Sequence, residues 1–561
     1  LSPLRHMRRV NGSHSRGRRH LLIRFLAHAF RIGICGASVA AFLCFANTEM
    51  AQQPSPAAQA NVAQFRARVE KALDEEHAQR AAWGIVVADR DTGETIYALN
   101  ADHFFAPASN AKVFVTALAL ATLGPDYRFR TTLESPGALG SDGRLSGDLF
   151  LVGRGDPDLS NRKFPYTGTG EREGAIDKVV ADMADAAVAK GLREVDGDIV
   201  ADDSYFPYDP YPAGWSTGDL FFTFGAPVTA LTFNDNTVAV FVEPGASASD
   251  AATITTDPDA AADFIGHDIT TVAPGAASNL AVVRQPGADF LQIRGTIPAG
   301  HAPARLDLAM TDPAEVTART LKALLEMRGV RVTGQVRVQH AQPPESTPAG
   351  EPVFPPAGAT AQLGAAAIRT VLAEHLSPPL IESIRFTNKS SNNLHAELFL
   401  RTVAREKLGL GSTAAGLKVE ADFRHAAGIP EGDVVLSDGS GLARDDLVTP
   451  RAMVMLLRYA ARQPWGNDFI STLPVSGVDG TLEDRMKNTA ATGLIQAKTG
   501  TIEHDHSLSG YATTLRGEYL AFSILCNNDG QHGPGVSATI DAIATAMVET
   551  LGGGRPARKS K

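Results

Sequence analysis

Pro107-Ala-Ser-Asn-Ala-Lys-Val-Phe-Val-Thr-Ala-Leu-Ala-Leu-Ala121 decides how the rest of the chain is read. From Val113 onward the run is apolar on every side, the mark of a helix buried all round. Pro107 and the small residues after it place the helix start near Ser109. The i,i+3 spacing then puts Lys112 on the same face as Ser109, one turn on. A serine hydroxyl is a poor nucleophile until a base takes its proton. A lysine held in a crowded, partly desolvated place near another cation has its pKa lowered toward that of a base. The helix N-terminus also favours the negative charge that develops in acyl transfer. Taken alone, the pair reads more readily as an N-capping serine beside a solvated lysine.

Two further motifs lie downstream. Ser391-Asn392-Asn393 falls in the polar stretch Thr387–Glu397, read as a loop running into a helix over Ala396–Ala404. A second hydroxyl at Ser391 can relay a proton, and the Asn393 amide both donates and accepts toward a peptide bond. Lys498-Thr499-Gly500-Thr501 ends a strand that starts at Gly493. Gly500 lets another backbone approach an exposed edge closely. Lys498 with the hydroxyls of Thr499 and Thr501 can bind a carboxylate, and the N–H groups of Thr501 and Ser109 can pair as an oxyanion hole. Singly, these are an Asn-rich helix cap and a surface turn. In order they read S-x-x-K, S-x-N and K-T-G, a combination with one known chemistry.

At this point the chain resembles the D-alanyl-D-alanine carboxypeptidase/endopeptidases of the class C penicillin-binding proteins. The resemblance spans roughly residues 80 to 550 and extends beyond the trio. Gly153-Arg-Gly-Asp-Pro-Asp-Leu159, Asp202-Asp-Ser-Tyr-Phe206 with Gly214-Trp215, and Ala226-Pro-Val-Thr-Ala-Leu231 are similar to motifs of that family. So are Asp438-Gly-Ser-Gly-Leu442 with Thr449-Pro450, and Leu473–Leu482. One departure is Asn392, where many relatives carry Asp. The resemblance implies Ser109, Lys112, Ser391 and Lys498 as catalytic residues, with Asn393, Thr499, Gly500 and Thr501 binding substrate. It also implies that Asp202, in an exposed acidic pair at the cleft edge, meets the amino group of a cross-linking residue. Ser109 and Ser391 are 282 residues apart, so some 235 residues are inserted into the catalytic domain, against a simple β-lactamase.

Length and charge bound the rest. At 561 residues the chain exceeds one core and predicts two or three domains. Residues 1–31 hold eight arginines and no acid, Ile32–Ala46 is apolar, and Ala51-Gln-Gln-Pro-Ser-Pro follows. That order reads as a signal peptide over 1–51, too short in its apolar run to span a membrane. Without it, 44 basic face 61 acidic residues, a formal charge of −17. So acidic a chain has no case for nucleic-acid binding. Cys35 and Cys44 leave with the leader; Cys526 remains alone, as suits an exported bacterial protein, and reads as a core residue.

Trp83–Asp89 and Thr95–Leu99 read as a hairpin, and Gly493–Lys498, Ser509–Thr514 and Tyr519–Cys526 as three more strands. The expected fold class is α+β: a penicillin-binding/β-lactamase-like catalytic domain, an antiparallel sheet flanked by helices, with a large β-rich insert of one or two domains. The expected division is a first catalytic segment at 52–130, the insert at 131–364, a second catalytic segment at 365–551 and a basic tail at 552–561. Within the insert, Val330–Val338 reads as one strand, and Gln342–Thr360, dense in Pro, Gly and Ala, as a linker. His504, Asp505 and His506 lack the spacing of a metal site and read as a loop. Gly439-Ser440-Gly441 lacks the spacing of a nucleophile elbow and reads as a tight turn.

The resemblance therefore implies a periplasmic serine D,D-peptidase that acts on peptidoglycan stem peptides and takes β-lactams as inhibitors, with no metal or cofactor. The alternatives are a serine β-lactamase and a non-catalytic wall-binding or β-lactam-sensing module.

Overall fold

The computed structural model describes residues 55–168, 172–284, 288, 290–343, 369–530 and 535–552. The expected signal peptide with Cys35 and Cys44, the linker from residue 344 on and the tail from residue 553 on lie outside them.

The chain runs through helix α1 (Pro56–Leu73), the hairpin β1 (Ala82–Asp89) and β2 (Thr95–Leu99), a 3-10 turn (Ala108–Asn110) and helix α2 (Ala111–Leu123). The inserted region includes β3 (Arg130–Ser135), β4 (Leu149–Val152), β5 (Ile199–Pro207), β6 (Val336–Ala341) and β7 (Thr370–Leu376). Helices α3 (Leu380–Ser390), α4 (Asn393–Leu408) and α5 (Pro450–Ala461) follow. Strands β8 (Ile495–Ile502), β9 (Asp505–Thr513) and β10 (Tyr519–Asn527) and helix α6 (Gly535–Thr550) close the chain.

Both ends of the chain build one antiparallel sheet in the order β8-β9-β10-β1-β2. Strand alternation sends successive side chains to opposite faces. Ile85 and Val87 pack with Phe65, Phe522 and Ile540 under α1 and α6, whereas Val86 and Ala88 pack with Phe114, Met453 and Ala521 under α2 and α5. Helix α2 is buried from Ala111 to Leu120, as its all-round apolar run predicts, and ends where Gly124 takes a φ of 82°.

The insert has its own core around Leu151, Ile199, Phe233, Val240 and Leu321. Its largest sheet runs β6-β5-β4-β3-β7. Strands β3 and β7 pair antiparallel with Arg130 opposite Leu376, so the chain enters and leaves the insert through neighbouring strands. Strand β7, which pairs with β3, lies beyond the expected boundary at 364. The single strand expected over Val330–Val338 is two, Arg331–Val332 and β6, in different sheets. Gly334 separates them: its N–H bonds to the Gly197 carbonyl at 3.0 Å, and an added Cβ there would strike that backbone. The insert packs onto the rest through Phe206, Val228 and Ala230, which contact Leu394 and Leu398 of α4.

Candidate active site

Ser109 and Lys112 meet as the helix spacing requires, with Lys112 Nζ 2.9 Å from Ser109 Oγ. The turn before them is tied to β9: Ser507 Oγ donates to the Pro107 carbonyl at 2.7 Å and accepts from Asn110 Nδ2. Ala108 holds a left-handed φ of 48°, the kind of backbone strain that surroundings must over-determine. Two further partners fix Lys112 Nζ, Asn393 Oδ1 at 2.6 Å and the Ser440 carbonyl at 2.5 Å. Lys112 is fully buried, and that burial pulls its pKa down to about 8 against the opposing pull of Asp438, Glu397 and Asp446.

The expected loop around Ser391 is instead a corner between two helices. Residues 387–390 finish α3, Ser391 caps it in left-handed backbone with φ 62°, and α4 begins at Asn393. Asn392 is its N-cap, with Oδ1 accepting from the His395 N–H at 3.0 Å. Sequence favours a loop because Thr, Asn and Ser are easily drawn into caps and turns, but Ile384, Thr387 and Asn388 are buried and packing keeps them helical.

Lys498 forms the second pair, its Nζ 2.8 Å from Ser391 Oγ and 2.8 Å from the Thr499 carbonyl. Burial, and then the charge of Lys112, hold its pKa well below the ordinary lysine range. Strand β8 lies at the sheet edge. The Ala497 N–H bonds outward to the Pro474 carbonyl at 3.0 Å, so alternation turns the N–H groups of Thr499 and Thr501 to the same outer side. Gly500 passes against the start of α2, where an added Cβ would stand 2.7 Å from the Pro107 oxygen and 3.0 Å from Ser109 N. Thr499 Oγ1 donates to Thr481 Oγ1 at 2.7 Å, and Asp479, 2.5 Å from Lys389 Nζ, holds the loop that carries Thr481.

One expected site residue is not brought to this group. Asp202 is 5% exposed in β5, with Oδ2 accepting from Arg369 Nη1 at 2.8 Å and Oδ1 from Ser204 Oγ at 2.6 Å. None of these partners touches the two serine–lysine pairs. Strand β5 pairs on both edges, so its acids are buried and bonded rather than displayed. One part of the insert that does reach the site is the turn Thr223–Gly225, whose Phe224 carbonyl accepts from Asn393 Nδ2 at 2.8 Å. Phe222 and Phe224 stack beside it and are half exposed, and Asp219 lies 3.9 Å from Arg444.

Asp438 and Ser440 belong to the site although their sequence reads only as a tight turn. It is one, with Gly441 at φ 77°, but the turn aims the Ser440 carbonyl at Lys112. Asp438 holds it by accepting from the N–H groups of Ser440, Gly441, Leu442 and Ala443 and from Trp215 Nε1. The signal in the sequence is an Asp before Gly-Ser-Gly, the residue type that caps a turn from its first position. His504 occupies a hairpin turn at φ 66°, whereas Asp505 and His506, expected in a loop, begin β9.

Together these elements present two hydroxyls, each bonded to a buried amine, beside an open strand edge. The chain is 34% identical over 506 residues to the D-alanyl-D-alanine carboxypeptidase of Actinomadura sp. (strain R39), covering 88% of this chain and 86% of that protein. It is 26% identical over 443 residues to the D-alanyl-D-alanine carboxypeptidase DacB of Haemophilus influenzae, covering 78% of this chain and 84% of that one. The fold matches the crystal structure of penicillin binding protein 4 (dacB) from Haemophilus influenzae with a TM-score of 0.69 at 23% identity, covering 85% of this chain and 98% of the other. A family model matches residues 65–350 and 359–547, both ends of the sheet and the insert between them, and by that match the chain belongs to the D-Ala-D-Ala carboxypeptidase 3 (S13) family, the serine peptidases it resembled in sequence.

Proposed function

We propose that this serine D-Ala-D-Ala carboxypeptidase works through an acyl-enzyme on Ser109 and takes peptidoglycan stem peptides as substrate. The contact between Lys112 Nζ and Ser109 Oγ at 2.9 Å carries the reading. A neutral amine has two N–H donors and one lone pair. With the donors committed to Asn393 Oδ1 and the Ser440 carbonyl, the lone pair is left for the Ser109 hydroxyl proton. Ser109 Oγ then attacks the carbonyl of the penultimate D-alanine, and the N–H groups of Ser109 and Thr501 receive the oxyanion. Ser391, bonded to Lys498, relays a proton to the departing amine, and water later resolves the ester. The substrate's terminal carboxylate meets Lys498 and the Thr501 hydroxyl, and also the Thr499 hydroxyl once its proton turns from Thr481 Oγ1 to the carboxylate; the negative charge favours the ammonium form of Lys498. Release of an amine from a D-Ala cross-link follows the same steps. Penicillins acylate Ser109 and leave slowly. The leader read over 1–51 points to export and periplasmic work on the wall, and among the described residues no helix is long and apolar enough to cross a membrane.

Labelled penicillin followed by peptide mapping is expected to place the adduct on Ser109, and mass spectrometry of muropeptides to show loss of terminal D-alanine. An adduct on Ser391 would overturn the role assignment. Rapid turnover of a chromogenic cephalosporin would favour a β-lactamase, and muropeptide binding with no product a non-catalytic module.

The pH dependence follows from Lys112. Its base form grows as pH rises through about 8. The acylation rate constant is therefore expected to climb about tenfold per pH unit from 6 toward 8 and then level off. A flat profile between pH 6 and 9 would remove Lys112 from the role of base.

A further inference from the structure

Outside the two serine–lysine pairs, one acidic side chain of the insert touches the corner that carries Ser391 and Asn393. Asp235 lies in Phe233-Asn-Asp-Asn-Thr237, where Asn234, Asp235 and Asn236 hold successive left-handed φ angles of 49°, 55° and 58°. Such backbone at non-glycine residues is unfavourable and survives only where its surroundings over-determine it. Here they do. The Phe233 N–H donates to Asn236 Oδ1 at 2.9 Å, Asn236 Nδ2 to the Pro227 carbonyl at 2.7 Å, and Asn234 Nδ2 to the Thr237 carbonyl at 2.8 Å.

This rigid turn points Asp235 at the helix corner. Its Oδ2 is paired with Arg162, whose guanidinium lies 3.8 Å from the Phe386 ring centre on α3. Its Oδ1 is 3.2 Å from His395 Nε2, and burial keeps that imidazole neutral with a pKa pulled down to about 3. Oδ2 also receives Asn392 Nδ2 at 3.5 Å, the long limit of a hydrogen bond. The orientation of that amide is settled by the cap: Asn392 Oδ1 must face the His395 N–H, so the NH₂ end faces Asp235.

We propose that Asp235 is a positioning residue for the peptidase reaction: its carboxylate holds the NH₂ end of Asn392 and so sets the corner from which Ser391 reaches Lys498 and Asn393 reaches Lys112. Ser391 is left-handed without being a glycine, so its conformation depends on such outside restraint. Asn393 follows the same pinned residue, and its Oδ1 must hold Lys112 Nζ at 2.6 Å. The inserted region thereby acts on the chemistry.

The inference rests on the acyl-enzyme reading above, and a charge swap separates the two. Asn392→Asp keeps the capping oxygen but sets a second carboxylate against Asp235. Penicillin acylation is expected to slow roughly 10- to 100-fold, as for reacting groups shifted by a fraction of an ångström, with the affinity that precedes acylation within about threefold of wild type. Adding Asp235→Asn reverses the pair, again sets one carboxylate against one amide, and is expected to return the rate to within about fivefold of wild type. An unaffected Asn392→Asp rate, or losses that multiply in the double variant, would overturn the positioning role alone. A wild-type protein that takes no penicillin would sink both readings. Melting curves accompany each variant. If Asn392→Asp and the cap-preserving Asn392→Ser both unfold the protein, the corner is only structural and the proposal fails.

Discussion

Lys112→Ala is expected to slow acylation of Ser109 by about 10²–10⁴-fold or more, the range for loss of a positioned general base. The side chain is wholly buried, and its three partners are Ser109 Oγ, Asn393 Oδ1 and the Ser440 carbonyl. Removing it takes away the only amine in hydrogen-bond contact with Ser109 among the described residues and leaves two acceptors without their donor. Its removal also ends the burial of a charge, so the fold is expected to survive and melting to shift far less than activity. Lys498→Ala is expected to differ in kind. It frees Ser391 Oγ from its amine partner and weakens recognition of a free carboxylate, so the penalty is larger for a D-Ala-D-Ala peptide than for an amide-terminated one. Stopped-flow acylation with a fluorescent penicillin, beside peptide hydrolysis, measures both. Full acylation by Lys112→Ala would require another base.

Gly500→Ala is expected to cost about 10²-fold in acylation through geometry alone. An added Cβ would strike Ser507 Oγ and stand 2.7 Å from the Pro107 oxygen and 3.0 Å from Ser109 N, short of the 3.4 Å of ordinary contact. Ser507 cannot swing aside without giving up the Pro107 carbonyl it holds at 2.7 Å, and the other two atoms are backbone. Strand β8 must therefore move away from α2 by several tenths of an ångström, carrying Lys498 and the Thr501 N–H with it. A misplacement approaching 1 Å is enough for a loss of that size. The same substitution at Gly517, where an added Cβ meets nothing within 4 Å but φ is 81°, is expected to lower melting slightly and leave acylation near wild type. Wild-type acylation by Gly500→Ala would mean that β8 does not form this wall during the reaction.

The features legible in the sequence are those with short-range causes. The all-round apolar run after Lys112 dictates a buried helix, and helix periodicity alone sets Ser109 and Lys112 on one face. Apolar runs of strand length mark the strands at both ends of the chain, and apolar residues on both faces of those strands require a helix layer on each. The order of the three motifs and the distance between Ser109 and Ser391 announce a large insertion before any contact is known. What the tertiary structure decided depended on which distant surfaces meet. Asp202 looks exposed because acids usually are, but its strand is an interior one of the insert's sheet and Arg369, 167 residues away, pairs with it there. Thr387 and Asn388 look like loop because their propensities are poor, but their burial against the helix layer outweighs about a few tenths of a kcal/mol per residue. The turn that carries Ser440 has a local signature, but that its carbonyl lies under Lys112 has none, and neither has the Phe224 carbonyl on Asn393 or the carboxylate of Asp235 on Asn392, because each is a single long-range contact between side chain and turn. Periodicity and spacing specify the elements and the reacting pair; the partners that hold that pair are fixed only when packing brings remote turns together.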